Sequence, residues 1–404
     1  MNNRVFVTGM NVISSLGLNI EENWDNMKRG ASGIKKITLF DPSNLQTQIA
    51  GQVPDRFEEY SKNFIKKRTA EQMTRVTRMC FMAAVEAVNR SKFDFAKADT
   101  SRVGVILGVV STANTSVEKG TTPKNLILKS MNNAMSAWIS LEYKLGGPNF
   151  TVSSACSSSA YAMGLAYDMI KSGMADMVIT GGADSIINPE EINGFNELYA
   201  LSTRNEFPER ASSPFSKNRD GFVIGEGAGI LILESEKSAL ERDAEIYAEL
   251  SGYAFYSEGY NIMTPEKDGE GMAKTMEKAL VDSGVSLSEV DYINAHGTST
   301  TLNDKYETMA IKKVFKERAY KIAVSSTKSM IGHTIGAAGA IEGAVTALSV
   351  KEGIVTPTIN YIPDRELDLD YTPNVSVKKD INCAISNSFA FGGHNATIVF
   401  KKRI

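Results

Sequence analysis

Twice along its 404 residues the chain repeats one construction. An apolar strand ends in a Ser-Ser pair, a short turn follows, and the chain enters a helix of Ala, Gly and other small apolar residues. NFTVSSACSSSAYAMGLAYDMI (149–170) is the first instance, and KIAVSSTKSMIGHTIGAAGAIEGAVTAL (321–348) is the second. A helix that is apolar on nearly every face must be buried all round. Each instance also sits in a similar frame: VGVILG before and ADMVITGGAD after the first, VDYINAHGTST before and NCAISNSFAFGGHNA after the second. Two equivalent α/β halves that pack these helices between their sheets account for the pattern.

The remaining periodicity agrees with an α/β class. RVGVILG (102–108), ADMVITGGAD (175–184), VDYINAHG (290–297) and KIAVSS (321–326) read as buried strands. Residues 69–91 read as an amphipathic helix, with Met73, Val76, Cys80, Ala83, Ala84, Ala87 and Val88 along one stripe. A chain of 404 residues exceeds one ordinary core, and no Pro/Ser-rich linker interrupts it, so the halves are expected to be fused. Lys and Arg total 44 against 47 Asp and Glu, a net charge of −3 that gives no global signal for nucleic acid. The N-terminus, MNNRVFVTGMNVISSLG, reads as strand and turn rather than a signal peptide, and no apolar run reaches membrane-spanning length. Cys80, Cys156 and Cys383 lie too far apart for a disulfide framework. A reducing, cytoplasmic setting is therefore expected.

Candidate chemistry gathers at strand ends. Cys156 falls where a strand ends and a helix begins, an elbow that throws the side chain outward. The first N–H groups of the helix face it there, and the positive end of the helix dipole favours a thiolate. The alternative is a small buried Cys in a helix cap. Cys80 and Cys383 lie on apolar patterns and read as core. Three histidines are present: His296, His333 and His394. None stands at the i,i+4 spacing of helical zinc motifs, so no metal is predicted. His296 and His333 each follow a strand's C-terminal end, the edge at which ligands gather in open α/β sheets, as does Cys156. Lys328 occupies in the second half the elbow that Cys156 occupies in the first; it reads either as a surface lysine or as a charge that tunes the site. GEGAGILILE (225–234) leads into a β-rich run rather than a helix, which excludes a nucleotide-binding loop and suggests a tight strand connection. FAFGGHNA (389–396) reads as an aromatic gate or as a turn beside a core strand.

SSACSSS, NAHGTST, SSTKSMIGHTIGAAGA and SNSFAFGGHNATIVF, in that order, resemble the β-ketoacyl-[acyl-carrier-protein] synthases, most of all the synthase II type. NGFNELYALSTRN (193–205), SPFSKNRDGFVIGEGAG (213–229) and NIMTP (261–265) extend the resemblance over essentially the whole chain. It implies a thiolase fold, two duplicated α/β halves layered αβαβα, with residues 1–250 carrying the nucleophilic Cys and 251–404 the two His. It also implies condensation of an acyl chain with malonyl-acyl-carrier protein, with loss of carbon dioxide, no cofactor, and a dimeric assembly. Carried over, Cys156 would hold the acyl group, and His296 and His333 would bind the malonyl thioester oxygen. The backbone N–H groups of Cys156 and Phe391 would form an oxyanion hole. Lys328 would hold the histidine arrangement together with Glu307, supported by Asp304 and Glu342. Thr298, Thr300 and Thr264 would meet the phosphopantetheine arm, Phe391 would gate entry, and Phe195 would lie near the acyl pocket.

Three departures stand out. VVSTANTSVEKGTTPKN (109–125) replaces a glycine-rich turn and a longer loop, which bears on chain length. The gate reads FAFGG rather than FGFGG, and Ala390 would resist any state with φ > 0. Asn303 stands where a Gly often precedes Asp304. Carrier proteins are acidic, and Lys66, Lys67 and Arg68 offer a basic docking patch, or simply a solvated helix start. The runner-up reading is a ketosynthase subunit of a polyketide or polyene pathway, paired with a homologous chain-length-factor-like subunit in place of a second copy of itself.

Overall fold

A computed structural model describes residues 4–111 and 125–403. Ten strands form its main sheet: β1 (Val5–Ile13), β2 (Val103–Gly108), β3 (Asn149–Val152), β4 (Met177–Asp184), β5 (Gly227–Ser235), β6 (Ala248–Ser257), β7 (Tyr292–Asn294), β8 (Ala323–Ser325), β9 (Cys383–Ala390) and β10 (His394–Lys401). Their order is β8-β7-β9-β10-β6-β1-β5-β4-β2-β3. The first half, β3-β2-β4-β5-β1, is repeated by the second, β8-β7-β9-β10-β6, strand for strand in chain order. Pairing directions repeat too. β2 runs parallel to β3 and β4, while β5 is antiparallel to β4 and β1. β7 runs parallel to β8 and β9, while β10 is antiparallel to β9 and β6. The halves meet where Val5, Phe6 and Val7 of β1 pair with Leu250, Glu249 and Ala248 of β6.

Six helices complete the layers: α1 (Arg75–Ser91), α2 (Ala134–Tyr143), α3 (Ser158–Lys171), α4 (Glu270–Ser283), α5 (Thr301–Phe315) and α6 (Ala338–Glu352). α1 packs on β1, β4 and β5, and α4 on β6 and β10, as the outer layers. α3 and α6 touch strands of both halves and each other, so they form the middle layer of a five-layered αβαβα arrangement. Every residue of α6 from Ala338 to Val350 is buried, as its uniform apolarity required. Close approach needs small residues: a Cβ on Gly229 of β5 would lie 2.6 Å from the Ile341 nitrogen. That explains the GAG run and corrects the reading of 225–234 as a strand connection, since Gly227–Ser235 is itself a central strand.

The amphipathic helix begins later than its periodicity suggested. Thr74 is extended and its hydroxyl caps the Thr77 N–H, so α1 starts at Arg75, and Lys67–Ala70 is a separate single turn. The stripe from Met73 to Val88 is buried, with Cys80 fully enclosed and its thiol pushed up to about 12 by burial. Cys383 is likewise core. Residues 112–124 of the altered loop lie outside the described residues. Among the described residues no helix is long and apolar enough to cross a membrane.

Candidate active site

Both Ser-Ser elbows point into one region. After β3 the chain turns sharply through Ala155, held at φ +50°, before α3 begins at Ser158. Ser154 and Ser157 brace the turn: the Ser158 hydroxyl accepts from the Ser154 N–H (2.9 Å), and the Ser157 hydroxyl donates to the Ser154 carbonyl (2.8 Å). Cys156 emerges there, only 6% exposed. The backbone N–H groups of Phe391 and of Cys156 itself face the sulfur. Burial nevertheless pushes the thiol up to about 11, against the lowering pull of the Lys328 charge and these N–H groups. The expectation that the helix terminus would favour a resting thiolate is therefore corrected: desolvation outweighs it.

The two histidines face each other, ring centroids 5.3 Å apart, and both are buried. The Ile335 N–H donates to His333 Nδ1 (3.2 Å), which leaves the proton on Nε2, and that buried Nε2 has no partner among the described residues. Lys328 Nζ lies 3.3 Å from His296 Nδ1 and, as an ammonium, can only donate, which again leaves the proton on Nε2. Burial first, then the Lys328 charge, holds both imidazoles well below 6.5. The site thus presents two neutral imidazole N–H donors. His333 is gripped by the 223–225 segment: its N–H donates to the Val223 carbonyl (2.7 Å), and its carbonyl accepts from the Gly225 N–H (2.8 Å).

Lys328 is not a surface lysine. Its side chain is fully enclosed and forms an ion pair with Glu342, whose carboxyl burial raises to about 7. Glu307 works elsewhere than expected. It accepts the His296 N–H (2.9 Å), the Gly297 N–H (2.8 Å) and the Asn387 side chain (3.3 Å), so it fixes the His296 loop while Glu342 pairs Lys328. Burial raises Glu307 to about 7 also. Asp304 accepts the N–H groups of Phe215 (2.7 Å), Thr298 (3.0 Å) and Ser299 (3.2 Å) and holds the next stretch of the same loop. Asn303, in place of the Gly, donates to Asp304 (3.1 Å).

These groups open on a cavity of about 470 Å³. Cys156, His296, His333, Thr298, Thr300, Thr264, Phe195 and Phe391 all line it, while Lys328, Glu307, Asp304 and Glu342 stand behind the lining. The hydroxyls of Thr298 and Thr300 lie 2.9 Å apart. Phe195 packs edge-on against Phe222, and Phe222 against His333, so an apolar wall runs inward from the histidines. Phe391 heads the turn between β9 and β10, where Gly392 and Gly393 take φ +80° and +71°. Ala390 is extended at φ −109°, so replacing the usual Gly there carries no strain in this conformation. Lys66, Lys67 and Arg68 are exposed on their own short turn and do not line the cavity. Sequence reasoning missed Asp184, the buried last residue of β4, and Phe222. The carboxylate's partners lie 74 and 152 residues away, beyond the reach of any local pattern.

Models of beta-ketoacyl synthases match most of the chain: the N-terminal domain at residues 2–239 and the C-terminal domain at 247–362. The 3-oxoacyl-[acyl-carrier-protein] synthase 2 of Synechocystis is 40% identical over 410 residues, covering 99% of this chain and 98% of its own. That of Staphylococcus aureus is 40% identical over 413 residues, covering 99% of both. Among solved structures, a type II PKS acyl-carrier protein in complex with its ketosynthase matches with TM-score 0.90 and 33% identity over all of both chains. The ishigamide ketosynthase/chain length factor matches with TM-score 0.92 and 32% identity, again over all of both chains.

Proposed function

The chain belongs to the beta-ketoacyl synthase family, and from that premise we propose that this cavity elongates an acyl chain by decarboxylative Claisen condensation with malonyl-acyl-carrier protein, in fatty acid synthesis. In this reading residues 1–250 carry the nucleophile and 251–404 the two histidines. The observation that carries it is the convergence of Cys156, two backbone N–H groups at its sulfur and two neutral imidazole donors on one cavity.

The Cys156 sulfur attacks the carbonyl carbon of the acyl thioester, and the carrier thiol leaves with the proton the cysteine gives up. With burial pushing the thiol up to about 11, the resting sulfur is the neutral thiol and must shed its proton to attack. The oxyanion of that step forms beside the Cys156 and Phe391 N–H groups. The malonyl thioester then loses carbon dioxide. The electron pair of the broken C–C bond passes onto the thioester as an enolate, whose oxygen takes hydrogen bonds from His296 and His333 Nε2. The enolate carbon attacks the acyl carbonyl, the C–S bond to Cys156 breaks, and the released thiolate takes up a proton from solvent, the one proton the overall condensation consumes. Lys328 stabilises the Nδ1-unprotonated form of His296, and its charge disfavours imidazolium at both histidines.

The acyl-carrier protein is the partner, its arm reaching in past Thr264, Thr298 and Thr300. The protein works as a dimer through the free sheet edge at β3, whose residues are only partly covered while β8 at the opposite edge is buried. The test is the intact mass after incubation with a saturated long-chain acyl-carrier protein. An acyl-sized gain on wild type and none on Cys156→Ala is expected; equal gain on both would overturn the assignment. The likeness to the ketosynthase/chain length factor keeps a second reading in play, a subunit paired with a homologous partner, which co-purification of a homologue lacking the Cys would favour.

A further inference from the structure

Asp184 ends β4 with no exposed surface, and its carboxylate accepts three backbone N–H groups from two separate segments. Val110 (3.1 Å) and Ser111 (3.2 Å) come from the chain just past β2, and Gly336 (2.7 Å) from the turn that follows His333. That turn is strained and crowded. Ile335 is β-branched yet held at φ +50°, and a Cβ on Gly336 would lie 2.3 Å from Asp184 Oδ2, so only glycine admits the carboxylate. The Ile335 N–H, one residue earlier, is the group that occupies His333 Nδ1. Val110 and Ile335 both line the cavity. Asp184 touches neither the cavity nor a reacting atom; it holds the two pieces of backbone that do.

We propose that Asp184 is a positioning residue that clamps the turn after His333 through Gly336, fixing the imidazole with Nδ1 occupied and Nε2–H aimed into the cavity, and joins that turn to the pocket wall at Val110. The inference rests on the condensation reading, in which His333 serves decarboxylation while Cys156 serves acyl transfer. Without the clamp the Gly336 N–H loses its acceptor, the left-handed turn at Ile335 is held only by its apolar packing and the Ala337-to-Thr334 backbone bond, and the N–H that fixes the tautomer is freer to turn away. The two half-reactions therefore separate its role from a general structural one.

The experiment compares wild type with Asp184→Ala, which removes all three acceptor interactions, and Asp184→Asn, which keeps one oxygen able to face Gly336. Carbon dioxide release from malonyl-acyl-carrier protein and acylation of Cys156 by mass are measured separately. Asp184→Ala is expected to lower decarboxylation at least tenfold more than acylation, with KM for the malonyl carrier within threefold, and Asp184→Asn to recover part of the loss. Equal losses in both half-reactions would overturn the proposal. With three histidines in the chain, the 15N spectrum of histidine-labelled protein resolves the His333 tautomer directly. Wild type is expected to show protonated Nε2 and bare Nδ1, and Asp184→Ala a mixture; a protonated Nδ1 in wild type would overturn the proposal even if neither variant folds. A wild type that releases no carbon dioxide would count against the condensation reading instead, and the tautomer would still judge the clamp.

Discussion

Replacing His333 by Asn and by Gln tests the two-donor geometry with a graded outcome. In His333 the Ile335 N–H occupies Nδ1, so Nε2–H is the working edge. An Asn amide reaches only as far as Nδ1, whereas a Gln amide nitrogen reaches the Nε2 position. A preplaced donor to a developing oxyanion is worth roughly 3 kcal/mol, or on the order of 100- to 1,000-fold in rate. His333→Asn should therefore lower carbon dioxide release from malonyl-acyl-carrier protein by about that factor, with His333→Gln recovering at least tenfold of it. Acylation of Cys156, which in the proposed mechanism draws on the N–H groups of Phe391 and Cys156, should fall far less in both. Because burial and Lys328 hold both imidazoles well below 6.5, wild-type decarboxylation should show no imidazole inflection between pH 6 and 8. His333→Asn decarboxylating within threefold of wild type, or wild-type imidazole 15N shifts that titrate near pH 6.5, would refute the assignment of neutral donors.

Three further outcomes follow from the same structure. Alkylation of Cys156 by iodoacetamide should accelerate close to tenfold per pH unit from 7 to 9, because the thiol lies near 11; a plateau below pH 8 would show a resting thiolate. The imidazoles' folded pKa values lie below the unfolded value, so the stability they contribute is present above about pH 6.5 and lost as pH falls. His333→Gln should accordingly lose less stability than wild type between pH 6 and 5 in urea unfolding, and superimposable pH slopes would contradict this. Gly229→Ala should cost about 2 kcal/mol or more, read from the urea midpoint, because its Cβ would sit 2.6 Å from the Ile341 nitrogen; an unchanged midpoint would mean α6 is free to retreat.

What the sequence disclosed and what it hid divide along physical lines. Uniform apolarity announced the burial of α6, whereas α3 is not covered all round and leaves a face of Tyr161, Leu165, Asp168 and Met169 partly or fully exposed; Cys156, His296 and His333 were legible as reactive types past strand ends before any likeness to a family was drawn. Helix starts were less legible. Residues 69–74 continue the apolar period of α1, yet a single hydroxyl cap at Thr74 ends it. The second partner of each charge was hidden as well. Lys328 meets Glu342 rather than Glu307 because the pairing depends on how α6 crosses beneath the elbow, and Asp184 acts only through N–H groups that the fold brings from elsewhere. The glycines at 225–229 read as a loop motif because close approach to a helix leaves no local signature beyond smallness.

The middle layer also sets a schedule for biosynthesis. α3 is complete once residue 171 has been made, yet its cover includes α6 and strands of the second half, the last of which ends at Lys401. At roughly 5–20 residues per second the ribosome needs on the order of ten to fifty seconds to supply them. Throughout that interval the nascent chain carries the apolar segment of α3 with half of its walls missing. The first half therefore cannot close its middle layer alone, and slowing translation after residue 171 lengthens the time that apolar surface stays uncovered.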